Sequence, residues 1–505
     1  IYRKANWVAS MRSPTTNFFG AEIYDDQNRF GRYQANGSLE ILYSGSLAAN
    51  GYPSSSIGSG GWDWNVVPGA TTVHYTSWQE MMPYKSPNGR FDQKTKTKNF
   101  AGALSFGDCG MFACDFDQLD TWSSSAYTAT NLVFKKSMFA FENMIISLGS
   151  SIGSSGTYST SMFTATNLFQ SIVNSGSLNI NGTAQVSPYN ATISTSVDNW
   201  LVTPLGTGYF IPKGNDALEV KFGTQTTPSY TGADYAAPAT TVTAAKAYLN
   251  HGVKPSSKTY SFVVVPATNS TSMQTLATQM ANFGGSIYQI QAQNNSVHAL
   301  TYKPLNITAY SFFGAASNLS FGIVKANTAE NLLMDKLDVE TNRHYLAICN
   351  PNLKPIADAT YRWVASQSQT ILTLVGDWLP LNEVNGVVFS APTGGQTQVT
   401  VSFSNGEPIY FGIKQVSDTT AIQALKKDNW VSFSFDDKNL HLIFSNLESA
   451  DVSIKIHSVN GQLLYNQNTK TTKPFLDIPT AYFRKGLNIC SVTNGKQTQT
   501  FKWIN

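Results

Sequence analysis

Glu22 stands where a carboxylate is costly. Its neighbours are Phe18-Phe19-Gly20 on one side and Ile23-Tyr24 on the other, and an unpaired charge in such company loses hydration without compensation. It must therefore meet a cation, hydrogen-bond donors or a substrate group. Arg29 and Arg32 follow closely, so a structural ion pair satisfies Glu22 as readily as a catalytic role does. The same density of polar, aromatic and turn residues continues through Asn28-Arg-Phe-Gly-Arg-Tyr33. It returns at Gly61-Trp-Asp-Trp-Asn65, Pro68-Gly-Ala-Thr-Thr72 and His74.

Other candidate chemistry is weaker. Gly149-Ser-Ser-Ile-Gly153 fits the G-x-S-x-G pattern of a nucleophile elbow, but that motif needs a strand before it and a helix after it. Here more Ser and Gly follow. The six histidines (74, 251, 298, 344, 441 and 457) are scattered, with no metal-ligand spacing. Asp115-Phe-Asp117 with Asp120 offers oxygen ligands to calcium. Without a glycine turn and further ligands, a solvated loop explains them better, and no cofactor is required. Trp62 and Trp64 share a face if their segment is extended. They are then either a stacking surface for sugar rings or part of the core. Four cysteines in 505 residues are too few for a disulfide scaffold, and Cys109 and Cys114, five apart, read as buried thiols.

The elements that must position these groups are strands. Period-two alternation runs from end to end, as in Val399-Thr-Val-Ser-Phe403 and Val431-Ser-Phe-Ser-Phe435. Turn pairs such as Asn36-Gly37, Asn88-Gly89 and Asn405-Gly406 separate the runs. The pattern predicts an all-β chain of antiparallel sandwiches: a large super-sandwich over residues 1–302, a smaller sandwich over 303–420 and a third over 421–505. One helix is legible, with Met273, Leu276, Ala277 and Met280 at helical spacing after capping candidates Thr271 and Ser272. The segments Ser147 to Ser161 and Thr224 to Thr240, rich in Ser, Thr, Gly and Pro, read as surface loops.

Composition narrows the function classes. Charged residues are 13% of the chain and the formal charge is +3, too little for a nucleic-acid binder. No apolar run is long enough to span a membrane. Ile1-Tyr-Arg-Lys-Ala-Asn6 has no signal-peptide pattern, and the sequence reads as a portion of something longer.

The two runs GAEIYDDQNRFGRY and GWDWNVVPGATTVH resemble, in order and spacing, the signature of polysaccharide lyase family 8, of the chondroitin sulfate ABC lyase and hyaluronate lyase type. Weaker similarity continues through Lys135-Lys-Ser137, Asn250-His251 and Cys349-Asn-Pro-Asn-Leu353. The resemblance implies cleavage of uronic-acid-containing glycosaminoglycans (chondroitin sulfate, dermatan sulfate, hyaluronan) by β-elimination. The C5 proton of the uronate is removed and the 4-linked sugar leaves. Such a site must neutralise the uronate carboxylate and set a base at C5. In the family these tasks fall to Asn, His, Tyr and Arg groups on an N-terminal α/α-toroid, with one glutamate from the β-sandwich across the cleft. On this sequence that residue is Glu22, with Asn28, Arg29, Trp62 and Trp64 as implied substrate contacts. No toroid-like helical stretch is legible here, so most of the implied site lies on a missing helical partner. The other reading is a non-catalytic relative that binds polysaccharide or scaffolds a partner. The last 80 or so residues resemble the sorting domain of Bacteroidetes type IX secretion substrates, which implies a secreted protein.

Overall fold

In a computed structural model the protein is about 57% strand and 6% helix, as the alternation predicts. The structure describes all residues except 25–29, 54–60, 82–89, 120–127, 229–238, 284–286, 356–362, 367, 417–429, 436–438, 445–449, 459–460, 472–474, 484–486, 496–497 and 505.

Four sheets stack face to face. The outermost has five strands, in the order Tyr189–Ile193, Ala217–Pro228, Ala239–Gly252, Phe163–Ile172 and Thr71–His74. It packs on a nine-stranded sheet whose centre is Lys258–Val265, Met144–Gly153, Val133–Phe141 and Cys109–Asp117. The other face of that sheet meets a seven-stranded one running from Tyr288–Gln293 to Trp378–Pro380, which is covered in turn by four strands from Val324–Asn327 to Val387–Phe389. All described strand pairs are antiparallel. Alternation along Val133–Phe141 shows how one strand serves two cores. Phe134, Met138 and Ala140 enter the core shared with the five-stranded sheet, while Phe139 and Phe141 enter the core shared with the seven-stranded sheet. Each fully buried Phe, Leu or Val contributes about 1.5–3 kcal/mol. Residues 431–504 form a separate small sandwich of three and four strands around Val431, Leu442, Ile454 and Val492.

The expected division after residue 302 falls inside a sheet. Val297–Tyr302 and Ile307–Phe312 are adjacent, paired strands joined by a single 3₁₀ turn, Lys303–Leu305. The helix forms over Ser270–Phe283, with Met273 fully buried. Its cap is Asn269, whose Oδ1 accepts from the Ser272 amide at 2.9 Å, so Thr271 and Ser272 lie inside the helix.

Both supposed surface loops contain strand. Residues 147–153 belong to Met144–Gly153, one of the central strands of the nine-stranded sheet. Small and hydroxylic residues suit that place, because Tyr260 lies across Gly149 and a Cβ there would collide with the ring. Ser147 meets the Tyr260 hydroxyl at 3.2 Å. Residues 224–228 and 239–240 likewise extend the long hairpin of Ala217–Pro228 with Ala239–Gly252, while 229–238 lie outside the described residues.

Candidate active site

The two signature runs fold onto each other. Tyr33 hydroxyl donates to the Val73 carbonyl at 2.8 Å, the Thr71 amide to the Asn36 carbonyl at 3.1 Å, and the Leu39 amide to the Pro68 carbonyl at 2.9 Å. The turns of the two runs, Asn36-Gly37 and Pro68-Gly69, are thereby brought side by side. Both glycines have positive φ, +65° and +73°. At Gly69 a Cβ would collide with the backbone nitrogen of Leu39, so close approach and left-handed backbone together demand glycine. Gly69→Ala is expected to lower the melting temperature by several degrees, measured by thermal unfolding.

Lys136 fastens these turns from below. It is fully buried and donates to the Gly37 carbonyl at 2.8 Å and to the Gly69 carbonyl. Its ammonium also lies 5.4 Å from the Phe134 ring and 5.7 Å from that of Tyr260. Among the described residues no carboxylate pairs with it. Burial pushes its pKa down to about 7, with Cys114 opposing weakly. Sequence reasoning gave Lys136 no role, although alternation along Val133–Phe141 places it between Phe134 and Met138 on an apolar face.

The polar residues of the second run are internal ties. Asn65 imitates a strand partner: its Nδ2 donates to the Tyr75 carbonyl at 3.0 Å and its Oδ1 accepts from the Tyr75 amide at 2.9 Å. His74 is buried with Nε2 3.0 Å from Asn167 Oδ1, and burial outweighs the attraction of Asp63 to push its pKa down to about 4. It is neutral at physiological pH and committed to Asn167, which does not suit it to act as a proton-abstracting base. Asp63 accepts from Lys246 Nζ at 2.6 Å. Burial raises its pKa, but Lys246, His74 and hydrogen bonds outweigh this and hold it below the usual carboxylate range. A further buried chain runs from Asp216 through His251 Nδ1 at 2.8 Å, from His251 Nε2 to Thr166 at 2.9 Å and on to Thr71 at 3.0 Å.

The first run is held by its backbone and by Arg32 and Tyr33. Glu22–Tyr24 is a short strand paired with Arg90–Asp92, Glu22 opposite Asp92. The structure places Glu22 by its backbone, and its side chain lies outside what is described, as do Asn28 and Arg29 entirely. Arg32, the alternative ionic partner of Glu22, is buried and donates to the Tyr75 hydroxyl at 3.0 Å. Trp62 and Trp64 are 5% and 3% exposed. Trp62 stacks on Tyr52 and Trp64 lies against Phe30, so neither presents the sugar-stacking face expected of it. The segment is a turn, closed by the Val66 amide on the Asp63 carbonyl at 2.9 Å, and is not extended.

The remaining candidates are occupied otherwise. Asp115 pairs with Lys135 and Lys98, and Asp117 accepts from the Thr97 and Lys98 amides; Asp120 lies outside the described residues. The G-x-S-x-G run lies mid-strand, with no helix following. Ser151, which holds the nucleophile position of the pattern, is half-buried with φ +52°. Its neighbour Ser150 meets His298 Nε2 at 2.8 Å, but donates to the Asn294 carbonyl at 2.9 Å, and His298 Nδ1 meets Ser137 at 2.9 Å. The hydroxyl proton is directed away from the imidazole, and burial pushes the His298 pKa down to about 3. All four cysteines are buried and none is in a disulfide.

Comparison with known proteins gives this frame a family. The pattern described as "Polysaccharide lyase family 8, super-sandwich domain" matches residues 1–277, more than half of the chain. The chondroitin sulfate ABC endolyase of Proteus vulgaris is 27% identical over 422 residues, covering 82% of this chain and 37% of that protein. The chain spans well under half the length of the curated relatives it matches. A chondroitinase AC lyase solved with oligosaccharides superposes with a TM-score of 0.59 at 18% identity, over 80% of this chain and 51% of that one. A Paenibacillus xanthan lyase gives 0.62 at 15% identity, over 98% and 48%. These two likenesses show the shared super-sandwich fold, and the match over residues 1–277 shows the descent: the chain belongs to polysaccharide lyase family 8.

Proposed function

We propose that this chain is the β-portion of a lyase that cleaves uronic-acid-containing glycosaminoglycans by β-elimination. The observation that carries the reading is the mutual folding of the two signature runs. The polar groups of the second run are tied to one another and to neighbouring strands and so hold the frame against which the first run folds, while Glu22 itself lies in a short strand paired with Arg90–Asp92. Glu22 positions catalytic groups across the cleft, and Asn28 and Arg29 contact substrate. The Asn, His, Tyr and Arg groups that neutralise the uronate and take the C5 proton belong to a helical portion outside these 505 residues. In the reaction the C5–H bond breaks, its electrons form the C4–C5 double bond, and the C4–O bond breaks to release the 4-linked sugar. The relatives named chondroitin lyases support this substrate class. The small sandwich over 431–504 acts as a sorting module for secretion.

The test is direct. The protein joined to its helical portion is expected to generate ultraviolet-absorbing unsaturated oligosaccharides from chondroitin sulfate or hyaluronan. The 505-residue chain alone is expected to generate none. Product from the isolated chain would show that the division of catalytic roles is wrong, and no product from the joined protein on any uronate polymer would remove the lyase reading.

A further inference from the structure

Just before Glu22 the chain exposes two adjacent aromatic side chains, Phe18 at 42% and Phe19 at 46%. Exposed neighbouring phenylalanines are costly in water unless something covers them. Their backbone is firmly held. Buried Thr15 accepts from the Asn17 and Phe18 amides at 3.1 and 2.9 Å, and its amide donates back to the Phe18 carbonyl at 3.0 Å. Asn17 Nδ2 donates to Asn99 Oδ1 at 3.0 Å and to the Leu353 carbonyl at 3.2 Å. The Gly20 amide donates to Gln93 at 2.9 Å, and the Gln93 amide to Ala21 at 2.8 Å. Fixed hydrogen bonds therefore keep these rings at the surface.

The rings are joined by a third aromatic and by cations. Trp363, from a distant strand, lies with its ring centroid 4.2 Å from that of Phe18. Lys94 Nζ sits 4.1 Å from the Phe19 centroid. The segment that holds this turn, Gln93-Lys-Thr-Lys-Thr-Lys-Asn99, carries lysines at three alternate positions and no acidic residue. Of the carboxylates around it, Asp115 and Asp117 are engaged by Lys135, Lys98 and backbone amides, and Asp92 directly precedes the segment. Phe19 is three residues from Glu22, a span of at most about 10 Å.

Aromatic faces bind the apolar faces of pyranose rings, and ammonium groups bind sulfate and carboxylate. We propose that Phe18, Phe19 and Trp363 with Lys94 form a subsite for an acidic oligosaccharide, holding the sugars that flank the one cleaved beside Glu22. The proposal rests on the lyase reading for the identity of the chain it holds. The charge pattern selects a polyanion over a neutral glycan. A rigid subsite needs little ordering on binding.

The probe is a size-defined chondroitin 4-sulfate hexasaccharide titrated calorimetrically into the 505-residue chain, with a neutral chito-oligosaccharide of equal length for comparison. Binding is expected for the sulfated ligand only, weakening with salt. Phe18→Ala with Phe19→Ala, and separately Lys94→Gln, are expected to weaken it about tenfold, while Phe18→Tyr retains it. Thermal unfolding of each variant shows that the fold is kept. Equal binding by the alanine variants, absence of binding by the parent chain, or equal affinity for the neutral glycan each overturns the subsite. So does loss of association with the helical portion while hexasaccharide binding is unchanged, since the patch is then a contact between portions. In the joined enzyme the alanine variants are expected to raise KM with kcat nearly unchanged. Unsaturated product with unaltered KM overturns the subsite alone. Hexasaccharide binding without any product overturns the lyase reading and leaves the subsite standing.

Discussion

In the enzyme joined to its helical portion, Glu22→Ala is expected to lower kcat by about a hundredfold and to leave the melting temperature and the affinity for uncleaved oligosaccharide nearly unchanged. A residue that holds other groups in the transition-state arrangement lowers kcat and kcat/KM together when removed. The competing account is that Glu22 only pairs with a neighbouring arginine. Arg32 is buried beside Tyr33 and Tyr75, and breaking a buried ion pair by removing one partner costs on the order of 3–5 kcal/mol. That account predicts a destabilised protein whose folded fraction turns over normally. Measuring unfolding and active-site-normalised kcat on one preparation decides between them. Normal kcat would remove Glu22 from the mechanism.

Lys136→Met is expected to change the pH dependence of stability. Burial holds the folded pKa near 7, below the ordinary value of 10.5. Between those values the unfolded chain binds more protons than the folded one, so Lys136 makes the parent protein more stable as pH rises. The slope approaches about 1.4 kcal/mol per pH unit. Below pH 7 both states are protonated and this contribution is absent. Methionine abolishes this pH dependence and also leaves the Gly37 and Gly69 carbonyls without their donor, a loss of about 1–3 kcal/mol for each carbonyl left unsatisfied. The stability gap between parent and variant should therefore widen in the parent's favour from pH 7 to pH 10, as read by denaturant titration at fixed pH values. A gap that stays constant or narrows over that range would show that Lys136 does not titrate in the folded protein as its surroundings imply.

Lys136 also marks where the sequence could be read and where it could not. The all-β class is legible from alternation, and so is the helix Ser270–Phe283 from the spacing of Met273, Leu276, Ala277 and Met280. A lysine between Phe134 and Met138 on an apolar face is itself a signal, but its two carbonyl partners come from residues about 70 and 100 positions away, and no local pattern reveals them. Residues 147–153 resist reading for a related reason. A buried strand made of Ser and Gly looks like a loop until Tyr260 and His298 are placed beside it. The tryptophans of Gly61-Trp-Asp-Trp-Asn65 mislead in the opposite sense. Next to Gly and Ser they suggest an exposed surface, whereas a turn at Asp63 folds both inward. The signature itself was fully legible as a motif. That most of it braces rather than reacts shows only in the hydrogen bonds.

The nine-stranded sheet is covered on both faces, by different stretches of chain. One cover arrives from residues 71–252 and the other from residues 288–415. A recombination point anywhere between them would hand the recipient a sheet with Phe139, Phe141, Leu148 and Val263 bare on one side. Such a surface invites aggregation. Gene fusion or module exchange within this lineage is therefore expected to preserve residues 1–415 as one heritable block, with viable junctions confined to the stretch beyond it.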